Sequence, residues 1–340
     1  MLDKLIFTCN AVLPIVLMIL IGYGVKKIKL LPENFFKMAN KLCFRLCLPV
    51  LLFYNIYSVD NIQAIGENWQ IIVFAVAAIV VIFAIGLFMT MLLIKDPRQK
   101  GVVLQCFFRS NYAIIGIALA ESLAGTGSVA AGLAAVVSAV SIPLFNILAI
   151  ISLSIFVKEG DSKISVVSIL KKIVTNPLII GVFAGLVVLV IRLAIPTHVV
   201  DGKEVLVFSI ENQLPFLYKV ISQLAAVASP LALIALGGDF TFKAISKLKV
   251  QILIGTIARC VFVPVLCLLV AYAIGFRANE FPSLIALFGT PVAVSSVPMA
   301  SEMGSDEELA GQLVVWTSIC SALSLFLIIF VCAQVGIFVI

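Results

Sequence analysis

Two apolar stretches of this chain carry polar residues and helix breakers near their centres. Asn111 lies within the apolar segment 102–119, and the run from Thr290 to Ser296 interrupts another apolar segment at an offset of 180 positions. Freed backbone groups and buried polar side chains are costly in hydrocarbon, so paired breaks are normally kept where they line a cavity or a binding site. The pattern predicts a solute-binding site at these breaks.

The composition predicts that these breaks lie in a polytopic membrane protein. Hydrophobic residues make up 63% of the chain and the mean hydropathy is +1.23, against roughly 45–50% apolar residues in soluble domains. At about 20 residues per span, the 340 residues leave no room for a large catalytic domain outside the membrane. We expect ten helices, at 5–25, 38–58, 70–94, 101–121, 128–157, 173–195, 217–238, 250–275, 281–301 and 308–338.

The distribution of basic residues predicts the orientation of these spans. Of the 23 Lys and Arg residues, 14 fall on one set of alternate loops and five on the other. Cytoplasmic loops carry the excess of positive charge. Both termini are therefore expected outside the cytoplasm, which requires an even number of spans. The protein itself is expected in the cytoplasmic membrane of the cell. The first set comprises Lys26, Lys27, Lys29, Lys37, Lys95, Arg98, Lys100, Lys158, Lys163, Lys171, Lys172, Lys243, Lys247 and Lys249.

The chain divides into two similar halves. Residues 1–157 and 173–340 each hold five predicted spans, and a charged segment, 158–172, is expected to link them in the cytoplasm. Aligning 104–141 with 284–321 without a gap gives eight identities in 38 positions, and Pro49 and Pro230 fall at corresponding points of the second helix of each half. An odd number of spans per copy forces opposite orientations, which is the inverted-repeat architecture of many secondary transporters.

The residues at the two breaks are the candidate solute ligands. A mere kink is the alternative reading, and we prefer it for the isolated prolines of other helices. The paired breaks differ because both hold polar residues at mid-span and in register. Two opposed half-helices would present positive N-terminal ends to an anionic solute there. The candidates are Ser110, Asn111, Tyr112, Thr290, Pro291, Val292, Ser295 and Ser296.

Motifs along essentially the whole chain resemble those of the auxin efflux carrier family. The second span, from Asn40-Lys-Leu-Cys-Phe-Arg45 to Pro49-Val-Leu-Leu-Phe53, is similar to the family's second helix. Asn111-Tyr-Ala-Ile-Ile-Gly116-Ile-Ala-Leu119 resembles its first crossover, with Ala118 in place of a proline. Asn176-Pro177 is similar to the start of the sixth helix, and Val297-Pro298 to the ninth.

This resemblance implies an architecture and a transport mechanism. The family's fold has ten helices in two inverted five-helix repeats, with a scaffold domain and a transport domain in which broken helices four and nine cross. Its members carry auxin-like or short organic acids, which implies a small carboxylate, malate-like, malonate-like or auxin-like. Elevator-type alternating access and a homodimer through the scaffold are expected, and Gly22, Gly24, Gly181 and Gly185 permit close helix packing.

Four basic residues fall inside predicted spans, where each charge costs at least about 2.5–3.5 kcal/mol at mid-membrane. Arg109, two residues from the first break, is either a bidentate partner for a solute carboxylate or a residue that extends to the cytoplasmic surface. Arg45 matches the family's basic position and is a candidate polar support for the site. Lys41 and Arg259 are expected at the membrane interface.

Acidic residues that could couple transport to a cation are few. Asp239 and Glu302 stand near span ends, and the related bile acid sodium symporters use an acidic residue at the ninth-helix break, where this chain has Thr290, Ser295 and Ser296. Proton coupling or uniport is therefore favoured over sodium. Ser138 and Ser141 could still supply oxygen ligands to a cation, so sodium coupling stays open.

Other functional classes fit the sequence less well. An intramembrane enzyme needs a nucleophile and base, a metal cluster or a carboxylate pair in the bilayer, and the sequence offers none of these. The eight cysteines form no Cys-x-x-Cys pair, so we expect neither a metal site nor a cofactor. The excess of Lys and Arg over Asp and Glu is explained by the orientation of the spans in the membrane. We therefore expect no nucleic-acid partner. A channel or a membrane receptor on a transporter scaffold remains the alternative.

Overall fold

The computed structural model describes residues 2–58, 68–124, 129–157, 166–200 and 203–337. Within these ranges the chain is helical except for one antiparallel hairpin of two strands, β1 Thr197–Val200 and β2 Lys203–Leu206. A helix satisfies its own backbone hydrogen bonds, which apolar segments require in a membrane. The all-helical fold class predicted from sequence is therefore confirmed for the described residues apart from this hairpin.

The described ranges contain sixteen α-helices, nine before the hairpin and seven after it. They are α1 Leu2–Lys27, α2 Glu33–Leu42, α3 Leu48–Tyr57, α4 Trp69–Leu93, α5 Pro97–Phe108, α6 Ile117–Ala124, α7 Val129–Ser154, α8 Val166–Thr175, α9 Pro177–Ala194, α10 Ile210–Gln213, α11 Pro215–Asp239, α12 Lys243–Ile257, α13 Val263–Ile274, α14 Phe281–Gly289, α15 Ser296–Glu302 and α16 Glu307–Gln334.

Five of the described helical segments are long and apolar enough to cross a membrane. They are Trp69–Leu93, Leu133–Ser154, Pro215–Asp239, Ala244–Ile274 and Glu307–Gln334; Tyr112–Ala124 and Pro177–Arg192 are shorter apolar helices. The predicted fourth and ninth spans are each broken near the middle, as expected from their polar residues. Helix α8 occupies the last part of the segment predicted as a linker.

Three wide, π-helical turns join consecutive helices. They span Cys43–Cys47, Tyr112–Gly116 and Ala258–Phe262. The first and third come directly before helices with a proline in the first turn, Pro49 in α3 and Pro264 in α13. Proline lacks an N–H and clashes with the carbonyl four residues earlier, and a widened turn relieves both problems. These prolines therefore distort their helices without breaking them.

The helices pack into two groups. In the first bundle, α1, α2 and α3 pack against α11, and α3 also packs against α9. In the second bundle, α4 packs on α5, α6 on α7 and α14, and α12 and α15 on α16. The bundles touch where α1 meets α16, α9 and α3 meet α7, and α2 meets α15. The helices that flank both breaks belong to the second bundle.

Glycines bring the helices of the first bundle into close contact. A Cβ atom on Gly22 would lie 2.1 Å from the carbonyl oxygen of Ile234, and one on Gly181 would lie 2.3 Å from that of Pro49. A Cβ on Gly185 would lie 2.9 Å from the Cβ of Ile56. Three of the four glycines considered above for dimer packing therefore serve contacts within one chain. The expected homodimer stays a prediction without them.

Replacing Gly22 by alanine should destabilise the first bundle, because a methyl group there meets backbone that cannot rotate away. We expect a loss of about 1–3 kcal/mol, the range for overpacked cores, seen as a lower melting temperature in detergent. The control is Gly24→Ala in the same helix, where a Cβ has no heavy atom within 4 Å. Equal melting temperatures for the two variants would contradict this packing.

Candidate functional site

The two breaks meet and pair through their backbones. The N–H of Asn111 donates to the carbonyl oxygen of Pro291 at 2.8 Å, and Ser110 forms an isolated antiparallel bridge with Val292. The N–H of Val292 donates to Oγ1 of Thr317 on α16 at 3.2 Å. Backbone groups freed where α5 and α14 end are thus satisfied by the opposite break and by a neighbouring helix. The structure brings together the two segments that the sequence singled out.

Arg109 lies inside this crossing and is only 2% exposed. Its Nη1 donates to Oε1 of Gln105 at 2.6 Å and to Sδ of Met299 at 3.2 Å. Its Nη2 donates to Oδ1 of Asn146 at 3.0 Å and to Oγ of Ser295 at 2.8 Å. The alternative in which Arg109 extends to the membrane surface is therefore wrong. Every one of these partners is neutral.

Two further polar groups, on residues that line the cavity beside the crossing, have no hydrogen-bond partner among the described residues. They are Nδ2 of Asn111 and Oγ of Ser110, and both side chains are buried. A buried donor left unpaired costs about 1–3 kcal/mol. Together with the guanidinium of Arg109, these groups form a set of donors that lacks a negatively charged acceptor.

These donors border a small cavity between the two bundles. Its volume is about 40 Å³. Leu48, Leu51, Leu52 and Leu178 of the first bundle form one apolar wall. The second bundle supplies the polar wall and the remaining apolar residues, which are Arg109, Ser110, Asn111, Ala113, Ile114, Ile142, Phe145, Asn146, Ala293 and Ser295.

Arg45 and Glu302 lie elsewhere and pair with each other. Nη2 of Arg45 stands 3.0 Å from Oε2 of Glu302, and the Arg45 side chain is 61% exposed. Neither residue lines the cavity at the crossing. Asp239 also lies apart from it and accepts a hydrogen bond from Nδ2 of Asn40 at 3.3 Å. Exposed ion pairs contribute little to stability, so the Arg45–Glu302 pair joins the bundles weakly.

Four other candidate residues are buried and donate their hydroxyl groups to backbone carbonyls. Tyr112 donates to the carbonyl of Ala134 at 3.2 Å and Thr290 to that of Ala286 at 2.8 Å. Ser138 and Ser141 donate to carbonyls of their own helix, α7. Ser296 begins α15 and is buried. Of the predicted ligands, Arg109, Ser110, Asn111 and Ser295 border the cavity with their side chains.

Three residues at the site were missed by the sequence analysis. Gln105 and Asn146 are amides buried in apolar helices, and Met299 contacts the guanidinium through sulfur. The spacing of Gln105 and Arg109, four positions apart in one helix, was a signal for the first contact.

Arg259, expected at the membrane interface, is instead 1% exposed. That expectation was wrong.

One comparison with known proteins finds a match. The model of a family described as membrane transport protein matches residues 7–329, which is nearly the whole chain. No curated protein matches.

Replacing Asn146 by leucine should destabilise the protein, because it removes an acceptor from a buried guanidinium. We expect a loss of about 1–3 kcal/mol, measured as a lower melting temperature in detergent. Arg45→Gln serves as the control, since breaking an exposed ion pair should change stability by less than about 1 kcal/mol. A larger effect of Arg45→Gln than of Asn146→Leu would contradict the burial described above.

Proposed function

The chain belongs to the membrane transport protein family, as its resemblance to auxin efflux carriers predicted, and we propose that it is a secondary transporter of a small organic anion. It is a multi-pass membrane protein. The observation that carries the proposal is the guanidinium of Arg109, buried at the helix crossing beside a cavity with only neutral acceptors around it.

A carboxylate is the group that this set of donors fits best. A buried charge is costly unless it is paired, and no carboxylate pairs with Arg109 in the part of the chain that the structure describes. Arg presents its N–H groups as a planar fork that matches a carboxylate. Ser110 and Asn111 add the two unpaired groups at the same cavity. A carboxylate would accept from Ser110 and Asn111, and it would bring the negative charge that Arg109 lacks by displacing one or more of the neutral acceptors on its Nη atoms.

The size and lining of the cavity support a solute with one carboxylate. A volume of about 40 Å³ holds a few atoms, whereas pockets around whole drug-sized ligands reach about 300–1,000 Å³. Arg109 is the only cationic residue that lines it within the described residues. We therefore propose that the carboxylate binds there, and that an apolar remainder contacts the leucines of the first bundle when the cavity opens.

The two bundles provide the parts for elevator-type movement. We propose that the first bundle is the scaffold and that the second carries the solute past it, within ten helices arranged as two inverted repeats. The alternation of basic loops supports placing both termini outside the cytoplasm. Coupling to a proton or uniport, and assembly as a homodimer, complete the proposal. The family match lowers the weight of the channel and receptor alternatives.

The substrate class can be tested with purified protein in proteoliposomes. The panel comprises lactate and indole-3-acetate, malonate and malate, a neutral sugar and a cationic amine. We expect saturable uptake of monocarboxylates and a loss of at least about tenfold in affinity for Arg109→Gln, since hydrogen bonds to charged groups contribute about 1.5–3 kcal/mol. Asn111→Ala should weaken binding in the same direction.

The control for this experiment is Arg45→Gln, which removes a cation away from the cavity and should retain wild-type affinity. Uptake of the amine or the sugar with no response to any carboxylate would overturn the organic-anion proposal. Non-saturable flux would favour the channel, and binding without flux would favour the receptor.

The topology makes a separate prediction. Single cysteines introduced at Lys27 and at Lys219, both exposed, should react with a membrane-impermeant thiol reagent from opposite sides of the cell membrane, with Lys219 on the outside. The reason is the excess of basic residues on the loops around Lys27. The native cysteines at positions 43, 47, 106, 260, 267 and 332 are buried, and the other two, Cys9 and Cys320, are replaced by serine to keep background labelling low. Labelling of both positions from one side would rule out this topology.

A further inference from the structure

The last turn of α14 leaves buried backbone carbonyls without the N–H donors of a continuing helix. The helix ends at Gly289 and the chain then turns off into the crossing. Residues 286–288 therefore lack the N–H donors of a following helical turn, and their side chains are buried. The C-terminal end of a helix carries a partial negative charge of roughly half an electron. Such an end, when buried, requires a donor or a cation.

Arg259 supplies that cation. Its Nη2 lies 2.5 Å from the carbonyl oxygen of Phe288 and 3.3 Å from that of Leu287. Thr290 satisfies the remaining carbonyl, that of Ala286, with its hydroxyl group at 2.8 Å. Within the described residues no carboxylate pairs with Arg259, and its Nε has no partner. The end of α14 is thus the counter-charge that holds this buried guanidinium.

Among the described residues, no arginine or lysine side chain donates to the carbonyls at the end of α5 before the first break. The position 180 residues before Arg259 is Ile79, a buried residue of α4. At the first break, α5 ends with the N–H of Arg109 donating to the carbonyl of Gln105 at 2.9 Å. The side chain of Arg109 lines the cavity. One break therefore directs its arginine to the solute site, whereas the other receives an arginine at its carbonyl end.

Arg259 is connected to the solute site through the backbone that follows α14. Six residues separate the carbonyl of Phe288 from Ser295. The carbonyl of Pro291 in this segment accepts a hydrogen bond from the N–H of Asn111. At its end, the hydroxyl of Ser295 accepts one from Arg109. A shift at the end of α14 consequently moves two groups that hold the solute-binding residues.

From this geometry, and resting on the proposed function, we infer that Arg259 is a positioning residue that acts as a built-in cation at the broken helix. Carbonyl ends of broken membrane helices are sites where coupling Na⁺ ions bind in other transporters. Here the guanidinium occupies that position permanently. Solute binding should therefore require Arg259 and should not require Na⁺.

The test compares solute binding in NaCl and in choline chloride for four proteins. Wild type should bind the same monocarboxylate equally well in both salts. Arg259→Met removes the charge while keeping an apolar side chain, and its affinity in choline should fall about tenfold, within the range of indirect coupling effects. Na⁺ or Li⁺ should restore part of that loss, because a small cation can then reach the carbonyls. Arg259→Lys should retain most of the affinity in choline.

Arg277→Met is the matched control. Arg277 also donates to helix-terminal carbonyls, those of Tyr272 and Phe276 at 2.7 Å, but it is exposed and lies at the end of α13. Its replacement should change neither the affinity nor the response to Na⁺. Water can reach the carbonyls that Arg277→Met leaves, so this variant reports the loss of an exposed cap. A rescue by Na⁺ is expected for Arg259→Met alone.

Several outcomes would overturn the inference. They are a wild type that needs Na⁺, an Arg259→Met variant with unchanged affinity, and a loss of affinity that neither Na⁺ nor Li⁺ reduces. The melting temperature of solute-free Arg259→Met, measured in NaCl and in choline chloride, gives a second readout that needs no solute. A rise in NaCl supports the inference even where no carboxylate binds, and that separates its outcome from failure of the proposed function. If Arg259→Met does not fold, the wild-type salt comparison and Arg259→Lys decide.

Discussion

This structure depends on one constraint: where a helix is interrupted in an apolar interior, its freed N–H and C=O groups must form hydrogen bonds with nearby groups. Two predicted spans are interrupted near their midpoints, after Phe108 and Gly289, and freed backbone groups pair with the opposite break or with α16. Asn111 N–H meets Pro291 O, and Val292 N–H meets a threonine hydroxyl of α16. The crossing is therefore held by hydrogen bonds that exist because both helices are broken. Without the second break, the N–H of Asn111 would lose the carbonyl of Pro291 as its acceptor.

Three arginines illustrate how the chain assigns different counter-charges to similar side chains. Arg45 pairs with a carboxylate at an exposed position, Glu302. Arg259 is buried against the carbonyl end of α14. Arg109 is buried among neutral acceptors beside a cavity, so its charge is the least compensated of the three. The low dielectric around this buried guanidinium strengthens its interaction with any charged group that enters the cavity. Under the proposed function, the solute anion is bound by the arginine whose charge is compensated neither by a carboxylate nor by the carbonyl end of a helix.

The sequence predicted the helices and the breaks because both depend on local composition. Apolar runs mark the spans, and Asn111 and the Thr290–Ser296 run mark the interruptions, since polar residues in hydrocarbon are rare without a role. The direction of each side chain depends instead on which helices pack together. Arg45, judged a support for the site, pairs with Glu302; Arg259, judged interfacial, lies in the interior. The contacts of Asn146 likewise require the fold, because Arg109 is 37 residues away.

The two walls of the cavity differ in a way that suits relative movement of the bundles. The first bundle contributes leucines, which hold no hydrogen bonds to the crossing, while Arg109, Ser110 and Asn111 all belong to the second. Hydrophobic contact is non-directional, so an apolar wall can slide past the site without breaking polar bonds. The directional contacts between the bundles that we describe lie outside the cavity, at Arg45–Glu302 and at Asn40–Glu307. The side chain of Arg45 is exposed, so water can replace its ion pair with Glu302 at small cost. Under the proposed elevator movement, the donors around Arg109 would therefore travel together with the solute, and the site would stay intact while the wall beside it changes.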